Sequence, residues 1–338
     1  RDLVRSRGLG DVYKRQLHHF SNPLWLVEKG DFSSDLVVDY FQRYTSRVVE
    51  GLGDLIPKWI TINEPLVYVF SRYLEGTFPA AQEKGWAAAA RALRHLLRCH
   101  AAAYHTIKEA YPEAAIGVAK SLVVFDQRPG GNAFDRWWAS QISWLYNDWW
   151  MLAMDDGRLR WPLGRGQIKG LAGTFDFAGI NYYTRLYTRF PRLYERKWPE
   201  DAVLSDGDYG EVYPQGLFRV IKHARRYNKP IYITENGVPD AADKLRSGFL
   251  LSHLREIWRA VSFNWRIMGY YHWSLVDNFE WERGWTQRFG LIELEPETQE
   301  RALRASGRLY REICHTGSIS SDMTRRYAPH LLETLFPG

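Results

Sequence analysis

The chain has 338 residues, of which 45% are hydrophobic, so it can form one large domain with a substantial core. Its two cysteines exclude a disulfide framework, and it contains no run of 18 apolar residues that would predict a transmembrane helix. Half of the net charge of +6 comes from residues 1–16, and no dense basic run suits nucleic acid. We therefore expect a cytoplasmic protein that binds neither nucleic acid nor membranes.

The N-terminal part of the chain has an abrupt pattern. Residues 1–16 show neither helical nor strand periodicity and predict an unstructured or foreign lead-in. A strand-like run, Leu-His-His-Phe, follows at residues 17–20, and an amphipathic helix is predicted from an N-cap at Ser33 to Gly51. Because an organised strand begins with almost nothing before it, we expect earlier elements of the domain to be missing.

Apolar β-prone runs then alternate with helical stretches along the chain. Six strands are predicted in all, beginning near residues 17, 59, 115, 176, 231 and 267. Helices are predicted between and after them, at residues 86–110, 132–154, 214–227, 244–263 and 299–314, with a hairpin at 284–295. This alternation gives a parallel sheet with right-handed crossovers, in a (β/α)₈ barrel or an open doubly wound sheet. The second is disfavoured because no glycine-rich phosphate-binding loop follows any strand.

Two of the predicted strands end in a glutamate. The run Trp-Ile-Thr-Ile-Asn-Glu-Pro ends with Glu64, and Pro-Ile-Tyr-Ile-Thr-Glu-Asn-Gly ends with Glu235. Either carboxylate alone is most simply a loop cap or an ion-pair partner, because a charge at the end of a buried strand needs a partner. Together they predict a carboxyl pair facing one pocket, the arrangement that hydrolysis of a glycosidic bond requires. The 15 Trp and 20 Tyr residues suit stacking against sugar rings.

Both strand-end motifs resemble the signature motifs of family 1 glycoside hydrolases, the β-glucosidase and β-galactosidase family. The matching segments are Thr61–Pro65 and Tyr232–Gly237. The resemblance implies an α/β fold, the (β/α)₈ TIM barrel, and a retaining mechanism that uses no metal or other cofactor. It also implies that Glu64, on the fourth barrel strand, is the acid/base and that Glu235, on the seventh, is the nucleophile.

Further residues near the ends of strands match positions of the family that bind substrate. The resemblance implies that Asn63 binds the 2-hydroxyl of the sugar, that His19 binds the 3-hydroxyl, and that Tyr183 hydrogen-bonds the nucleophile. A metal pair formed by His18 and His19 is disfavoured because no cysteine or acidic residue lies nearby at ligand spacing. A purely structural histidine at position 19 is the remaining alternative.

The segment 270–281 resembles the family's eighth-strand region almost throughout. It reads Tyr-Tyr-His-Trp-Ser-Leu-Val-Asp-Asn-Phe-Glu-Trp. By resemblance, Trp273 is the platform under the glycone ring, and Glu280 and Trp281 bind its 4- and 6-hydroxyls. Phe289 matches an aromatic residue of the pocket wall. The tryptophans alone could be core residues, but a carboxylate flanked by aromatic residues suits polyhydroxyl recognition.

The resemblance begins at the third barrel strand, so the first two β/α units of the barrel would be missing by N-terminal truncation. We expect a lead-in at residues 1–16, an incomplete catalytic barrel at 17–314 and a C-terminal tail at 315–338. In the family, the missing units carry a glutamine that binds the glycone and an arginine that pairs with the nucleophile. The chain as written is therefore expected to be poorly stable and weakly active or inactive.

The predicted function is an exo-acting, retaining β-glycosidase that removes terminal β-D-glucosyl, galactosyl or fucosyl residues from small β-glycosides or oligosaccharides. Two alternatives stay open: a 6-phospho-β-glycosidase, disfavoured because the Glu280 carboxylate would repel a phosphate, and a non-catalytic sugar-binding remnant. A serine hydrolase is unsupported because no Gly-x-Ser-x-Gly motif occurs. No sequence feature points to an oligomeric state.

Overall fold

In the computed structural model, residues 14–79 and 83–337 are described. Their main sheet has six parallel strands that follow one another in chain order. These strands are β1 (Lys14–His18), β2 (Lys58–Asn63), β3 (Ala115–Ser121), β4 (Phe177–Tyr182), β5 (Ile231–Asn236) and β6 (Ile267–His272). Their six positions agree with those predicted from the sequence, and they form consecutive β/α units of the (β/α)₈ barrel.

Helices connect the strands and cover the outer face of the sheet. The longer ones are α1 (Leu36–Leu52), α2 (Trp86–Ala110), α3 (Ala133–Ser143), α4 (Pro214–Ala224), α5 (Arg246–Ser262) and α6 (Ala305–Thr316). Shorter α-helices span Leu24–Glu28, Pro65–Val69, Trp149–Asp156, Ser321–Tyr327 and Leu332–Leu335, with π-helical turns at Phe70–Glu75 and Trp144–Asp148. None of the helices in the described part of the chain is long and apolar enough to span a membrane.

Three small sheets are present in addition to the main sheet of the described residues. Val124–Gln127 pairs in parallel with Arg185–Arg189, which forms a hairpin with Arg192–Glu195. Arg158–Leu159 pairs with Gly166–Gln167, and Ile292–Leu294 pairs with Arg301–Leu303.

The hairpin predicted at residues 284–295 is wrong in position. Residues 289–292 bond instead to the segment after β6, since Leu291 donates to the carbonyl of Ser274 over 2.9 Å and Ile292 to that of Leu275 over 2.8 Å. The hairpin therefore forms later, from Ile292–Leu294 and Arg301–Leu303.

The core lies mainly between the sheet and the helices. Trp59, Ile116 and Ile180, on three neighbouring strands, are fully buried in this layer. A smaller cluster of Ile60, Ala119 and Phe177 lies apart from it. At Gly117 a Cβ would lie 2.7 Å from the Phe177 ring, so only glycine allows β3 and β4 to pack this closely.

Local boundaries differ from the predictions where backbone pairing outweighs side-chain pattern. Strand β1 begins at Lys14, three residues earlier than predicted, because residues 14–16 pair in register with Lys58–Ile60 of β2. Helix α1 begins after Asp35, and Ser33 ends a preceding 3₁₀ turn instead of capping the helix. Residues 1–13 of the predicted lead-in lie outside the described part.

The segment predicted as a tail at residues 315–338 packs against the barrel over its described part. Met323 and Ala328 are buried in a second hydrophobic cluster with Leu250, Leu251 and Leu309, which belong to α5 and α6. Because most residues of this segment are polar, the sequence did not indicate that Met323 and Ala328 would be buried.

A buried ion pair holds the segment after β6 in place. Asp277 accepts two hydrogen bonds of 3.0 Å from Arg304 and one of 2.7 Å from the backbone N–H of Gly290. The side chain of Asp277 is completely buried and that of Arg304 is 5% exposed. Removing one member of such a pair leaves the other charge without compensation in a low-dielectric environment.

We therefore expect Asp277→Ala to lower the free energy of unfolding by about 3–5 kcal/mol, measured by urea denaturation. The matched control is Asp322→Ala, which removes an ion pair with Arg325 whose side chains are 80% and 61% exposed. That change should cost less than about 1 kcal/mol. Equal effects of the two substitutions would contradict the structural role of Asp277.

Candidate active site

A cavity of about 450 Å³ opens at the carboxyl ends of the strands. All six strand ends of the described sheet contribute side chains to its lining: His19, Glu64, Ser121, Tyr183, Glu235 and Trp273. In parallel α/β barrels this end of the sheet is where functional sites form. The structure thus brings both predicted glutamates into one cavity.

Glu64 is positioned by an unusual backbone conformation. It has φ 43° and ψ 60°, in the left-handed region, directly before the Pro65–Val69 helix. Its N–H donates to the carbonyl of Ala119 on β3 over 2.8 Å, which fixes the turn between strand and helix. A glutamate rarely adopts this conformation, so the surrounding structure must impose it.

The environment of the Glu64 carboxyl favours its protonated form. The residue is 8% exposed, and burial raises its pKa to about 7, with the charge of Glu280 acting in the same direction. A 2.9 Å hydrogen bond from the Asn181 amide and the charge of Lys120 act in the opposite direction. The side chain can therefore gain or lose a proton near neutral pH.

Glu235 is held by a neighbouring tyrosine. It is 6% exposed, and the Tyr183 hydroxyl donates to its Oε2 over 2.7 Å. Burial and the charge of Glu235 raise the pKa of Tyr183 well above its usual value, so the phenol stays protonated and able to donate. This contact agrees with the predicted partnership of the two residues.

Asn181 connects the two glutamates, because it hydrogen-bonds Glu64 and pairs with Glu235 on the neighbouring strand. Its amide nitrogen donates to Glu64 and to Asn63, over 2.9 and 3.2 Å, while its oxygen accepts from the Thr234 hydroxyl over 2.6 Å. Asn181 lies opposite Glu235 in the pairing of β4 with β5. The sequence analysis missed Asn181. A buried side-chain amide two residues before Tyr183 needs several hydrogen-bond partners, and this requirement could have indicated a polar network.

Two further predicted residues continue this network toward β1. The amide nitrogen of Asn63 lies 3.1 Å from Nε2 of His19, whose Nδ1 lies 2.7 Å from the Gln16 side-chain oxygen. Asn63 is fully buried, whereas His19 lines the cavity. These contacts fix the orientation of the imidazole ring.

Aromatic contacts join the end of β1 to the segment after β6, although β1 and β6 are the two outer strands of the described sheet. The His19 ring lies 5.9 Å from that of Trp273 and 5.4 Å from that of Trp281. A Cβ at Gly237 would lie 1.8 Å from the Trp273 carbonyl oxygen, so only glycine fits there. Trp273, Glu280 and Trp281, which the sequence predicts to bind substrate, all line the cavity.

Glu280 is a third buried carboxyl group in the cavity, after Glu64 and Glu235. Burial raises its pKa, opposed by hydrogen bonds from Asn278, over 3.1 Å, and Trp273.

Phe289 lies behind the cavity wall rather than at its surface. It is 1% exposed, and its ring contacts those of Tyr183 and Tyr209 edge-on, at 6.0 and 5.1 Å between centroids. Tyr209 itself lines the cavity but comes from the polar region after the 185–195 hairpin, where no local pattern indicated a site. Phe289 therefore supports two aromatic residues that face the cavity.

Lys120 is a buried cation that the sequence analysis missed. Its Nζ donates to the Ser121 carbonyl over 2.6 Å and lies 4.3 Å from the centre of the Tyr146 ring. Burial lowers its pKa to about 7, against the attraction of Glu64 and Asp148. Because its positive charge favours ionised Glu64, Lys120 helps to set the pKa of that carboxyl group.

Substitution Lys120→Met should raise the pKa of Glu64 above its value of about 7, because the loss of a nearby positive charge disfavours the carboxylate. The measurement is a carbon-13 NMR titration of the Glu64 carboxyl. The control Lys58→Met removes the same charge from the start of β2, where the Lys58 ammonium lies over the Tyr232 ring. An unchanged or lowered pKa in Lys120→Met would exclude this influence.

The two histidines at the end of β1 have separate surroundings. His18 is buried, and its Nε2 lies 3.1 Å from the Asn22 side-chain oxygen; burial lowers its pKa to about 4. Within residues 14–79 and 83–337, no three histidine, cysteine, aspartate or glutamate side chains are grouped to hold a metal ion.

The geometry supports acid–base and nucleophilic chemistry at one pocket. Glu64 can deliver a proton near neutral pH, and Glu235 presents a carboxyl group oriented by Tyr183. Indole rings and the Glu280 carboxyl form the adjoining wall, which combines apolar faces with hydrogen-bond acceptors.

Comparison with known proteins gives consistent matches. The sequence model of the protein family named Glycosyl hydrolase family 1 matches residues 14–318 of this chain. A beta-galactosidase of Saccharolobus solfataricus is 31% identical over 350 residues, covering 95% of this chain and 69% of that protein. The structure of a beta-glycosidase from Pyrococcus horikoshii superposes with a TM-score of 0.83 at 29% identity, over 94% of this chain and 74% of that one. A family 1 b-glucosidase from Thermotoga maritima, in complex with isofagomine lactam, gives a TM-score of 0.84 at 25% identity, over 92% and 75%.

Proposed function

The chain belongs to glycosyl hydrolase family 1 and is thereby a glycoside hydrolase, and we propose that it is a retaining β-glycosidase acting on terminal β-D-glucosyl or β-D-galactosyl residues. The observation that carries this proposal is the meeting of Glu64 and Glu235 in one cavity. Similar proteins named as a beta-galactosidase and a b-glucosidase support these two sugars.

In the first proposed step, a carboxylate oxygen of Glu235 attacks the anomeric carbon. The bond to the glycosidic oxygen breaks, and Glu64 donates its proton to that oxygen, so that an alcohol leaves. The product is a glycosyl ester of Glu235. A pKa of Glu64 near 7 keeps the proton available at neutral pH.

In the second proposed step, water attacks the anomeric carbon of the ester. Glu64, now ionised, accepts a proton from the water, and the bond to Glu235 breaks. Two inversions give overall retention. The negative charge of Glu235 is absent from the ester, so the pKa of Glu64 is lower in this intermediate than in the free enzyme, and its ionised form can act as the base.

Residues near β1 and β6 would bind the glycone. His19, Trp273 and Trp281 offer an imidazole and two indole rings, and Asn63 supports His19 through a hydrogen bond. The buried Glu280 carboxyl is suited to accept from sugar hydroxyls but repels a phosphate dianion. This position therefore favours an unphosphorylated sugar over a 6-phosphoglycoside.

Covalent trapping tests the proposal with a single turnover, so it remains informative for a weakly active chain. A 2-deoxy-2-fluoro-β-D-glucosyl fluoride should leave one fluoroglucosyl group on Glu235, identified by mass spectrometry of the peptides. The fluorine at C2 destabilises positive charge in both transition states, and the good leaving group lets only the first step proceed. Glu235→Gln is the control and should stay unlabelled. A label on another carboxyl group, or no label and no hydrolysis, would contradict the proposal.

A further inference from the structure

Four aromatic side chains cluster where α3 meets the hairpin of residues 185–195. They are Phe134, Trp137 and Trp138 of α3 and Phe190 of the hairpin turn, and we call them the aromatic patch. The Phe190 ring lies 5.2 Å from the rings of both Phe134 and Trp138, measured between centroids. Phe134, Trp137 and Phe190 are 50%, 50% and 51% exposed. Single exposed aromatic residues are ordinary, but a contiguous exposed group marks an interaction surface.

Polar contacts hold the aromatic patch in place. The Trp138 indole N–H donates to the Arg192 carbonyl over 2.8 Å, and this contact joins the helix to the hairpin although the two residues are 54 positions apart. The Asn132 side chain caps the start of α3 by accepting from the backbone N–H groups of Phe134 and Asp135. The rings therefore stand on a capped helix and a hairpin that are bonded to each other.

The aromatic patch lies at the same end of the barrel as the catalytic cavity. Helix α3 follows β3 in the chain, and the hairpin follows β4. Leu186 and Tyr194, on the two strands of the hairpin, line the catalytic cavity, as does Arg196 directly after it. A partner bound to the aromatic patch would thus lie beside this cavity.

Basic residues surround the aromatic patch. Residues 126–141 and 185–197 carry seven basic and three acidic side chains, a net charge of +4. Arg136 and Arg189 are exposed and directly precede two of the rings, and neither forms an ion pair with another described residue. Such a group of positive charges attracts an anionic partner.

The three carboxylates of these segments are already engaged. Asp126 pairs with Arg219 over 2.7 Å, and Glu195 is 8% exposed and pairs with Arg192 over 2.8 Å. Asp135 accepts from the backbone N–H at the start of α3 over 3.2 Å. The charged groups that remain free beside the aromatic patch are therefore cationic.

We propose that the aromatic patch is a contact site for the surface of an anionic lipid bilayer. Exposed indole and phenyl rings beside arginines are the combination that enters the headgroup region of such a membrane. This inference is independent of the glycosidase function. It revises the expectation drawn from composition, which cannot show that two distant segments combine into one surface.

Two other occupants fit the aromatic patch less well. A polysaccharide needs flat faces for stacking, but the Phe190 ring is tilted by 74° from that of Phe134 and by 82° from that of Trp138. It also needs acceptors for its hydroxyl groups, and the carboxylates here are engaged. A second copy of the chain, related by a twofold axis, would bring the same positive charges face to face.

Cosedimentation with lipid vesicles tests the proposal. The full chain should bind vesicles of phosphatidylcholine and phosphatidylglycerol in equal amounts, and at least about tenfold more weakly to phosphatidylcholine alone. Trp137→Ser should weaken binding to the mixed vesicles about tenfold, because an indole ring no longer leaves water. Arg189→Glu, which changes the charge by two, should weaken it about 10–30-fold, and added salt should act in the same direction.

Matched variants separate the aromatic patch from general effects of composition. Trp161→Ser removes an indole that is 71% exposed outside the patch, and Arg301→Glu reverses an exposed charge on the Arg301–Leu303 strand. Both should leave vesicle binding unchanged. Trp137→Phe keeps a ring and should keep most of the binding, but it should reduce the quenching of tryptophan fluorescence by lipids brominated on their acyl chains.

Absence of vesicle binding, or binding insensitive to Trp137→Ser, would overturn the proposal. A loss in Arg189→Glu alone would show adsorption by charge without insertion of the rings and would also overturn it. Sedimentation velocity and retention on insoluble cellulose detect the other occupants. A dimer or a cellulose complex that Trp137→Ser abolishes, without vesicle binding, would assign the aromatic patch to a second copy or to a polysaccharide instead.

Discussion

Replacement of Glu235 by alanine is expected to lower kcat for a nitrophenyl β-D-glucoside by at least about 10⁴-fold relative to the unmutated chain. The proposed mechanism has no route to the glycosyl ester once this carboxylate is gone, and removal of a catalytic nucleophile costs on the order of 10⁴–10⁶ in other hydrolases. The control is Glu293→Ala, which removes an exposed carboxylate from the Ile292–Leu294 strand and should leave kcat unchanged.

Rescue by azide separates loss of the nucleophile from loss of the fold. The space vacated in Glu235→Ala lies on the face of the sugar opposite the leaving group, so azide entering it should displace the nitrophenolate in one step. One inversion gives the α-glucosyl azide, detected by proton NMR through its anomeric coupling. A β-glucosyl azide, or a variant that keeps more than about 1% of the activity, would contradict the assignment of Glu235.

The strands and both glutamates could be predicted because their signals are local. Each strand is a short apolar run, and in β2 and β5 the run stops at a carboxylate followed by a residue that ends the strand. Parallel strands place such ends on one edge of the sheet, which is enough to predict that Glu64 and Glu235 share a site. The finer position of each side chain depends on register, which the sequence does not contain.

The missed residues depend on contacts between distant parts of the chain. Asn181 matters because β4 lies between β3 and β5, which places its amide against Glu64, 117 residues earlier. In the sequence, Lys120 is an ordinary charged residue on a strand. Its burial follows from packing against Tyr146 and the helices, which no local pattern indicates. Tyr209 reaches the cavity from a region without regular periodicity.

A similar reason explains the misplaced hairpin. Residues 289–292 find hydrogen-bond partners in Ser274 and Leu275 after β6, and this competition with local pairing cannot be read from turn residues.

Replacement of Glu64 by alanine should produce an effect that depends on the leaving group. For an alkyl β-D-glucoside, whose alkoxide leaves only when protonated, kcat/KM should fall by about 10³–10⁴-fold, near the upper range for general acid catalysis. For 2,4-dinitrophenyl β-D-glucoside, whose phenolate leaves without a proton, kcat/KM should fall less than about tenfold. Steady-state kinetics with the two substrates measures this contrast, and equal losses on both would exclude Glu64 as the acid.

The dependence on pH and on azide should distinguish Glu64 from a residue that only supports the fold. Glu64 is protonated below its pKa of about 7, so kcat/KM of the unmutated chain for an alkyl glucoside should fall as pH rises through about 7, and this limb should vanish in Glu64→Ala.

In the Glu64→Ala variant with the dinitrophenyl substrate, the ester on Glu235 should accumulate, since no base activates water. Azide should then attack the ester from the vacated side and give the β-glucosyl azide, because two inversions restore the original configuration. The opposite anomers expected from Glu64→Ala and Glu235→Ala assign the two carboxyl groups to opposite faces of the same sugar.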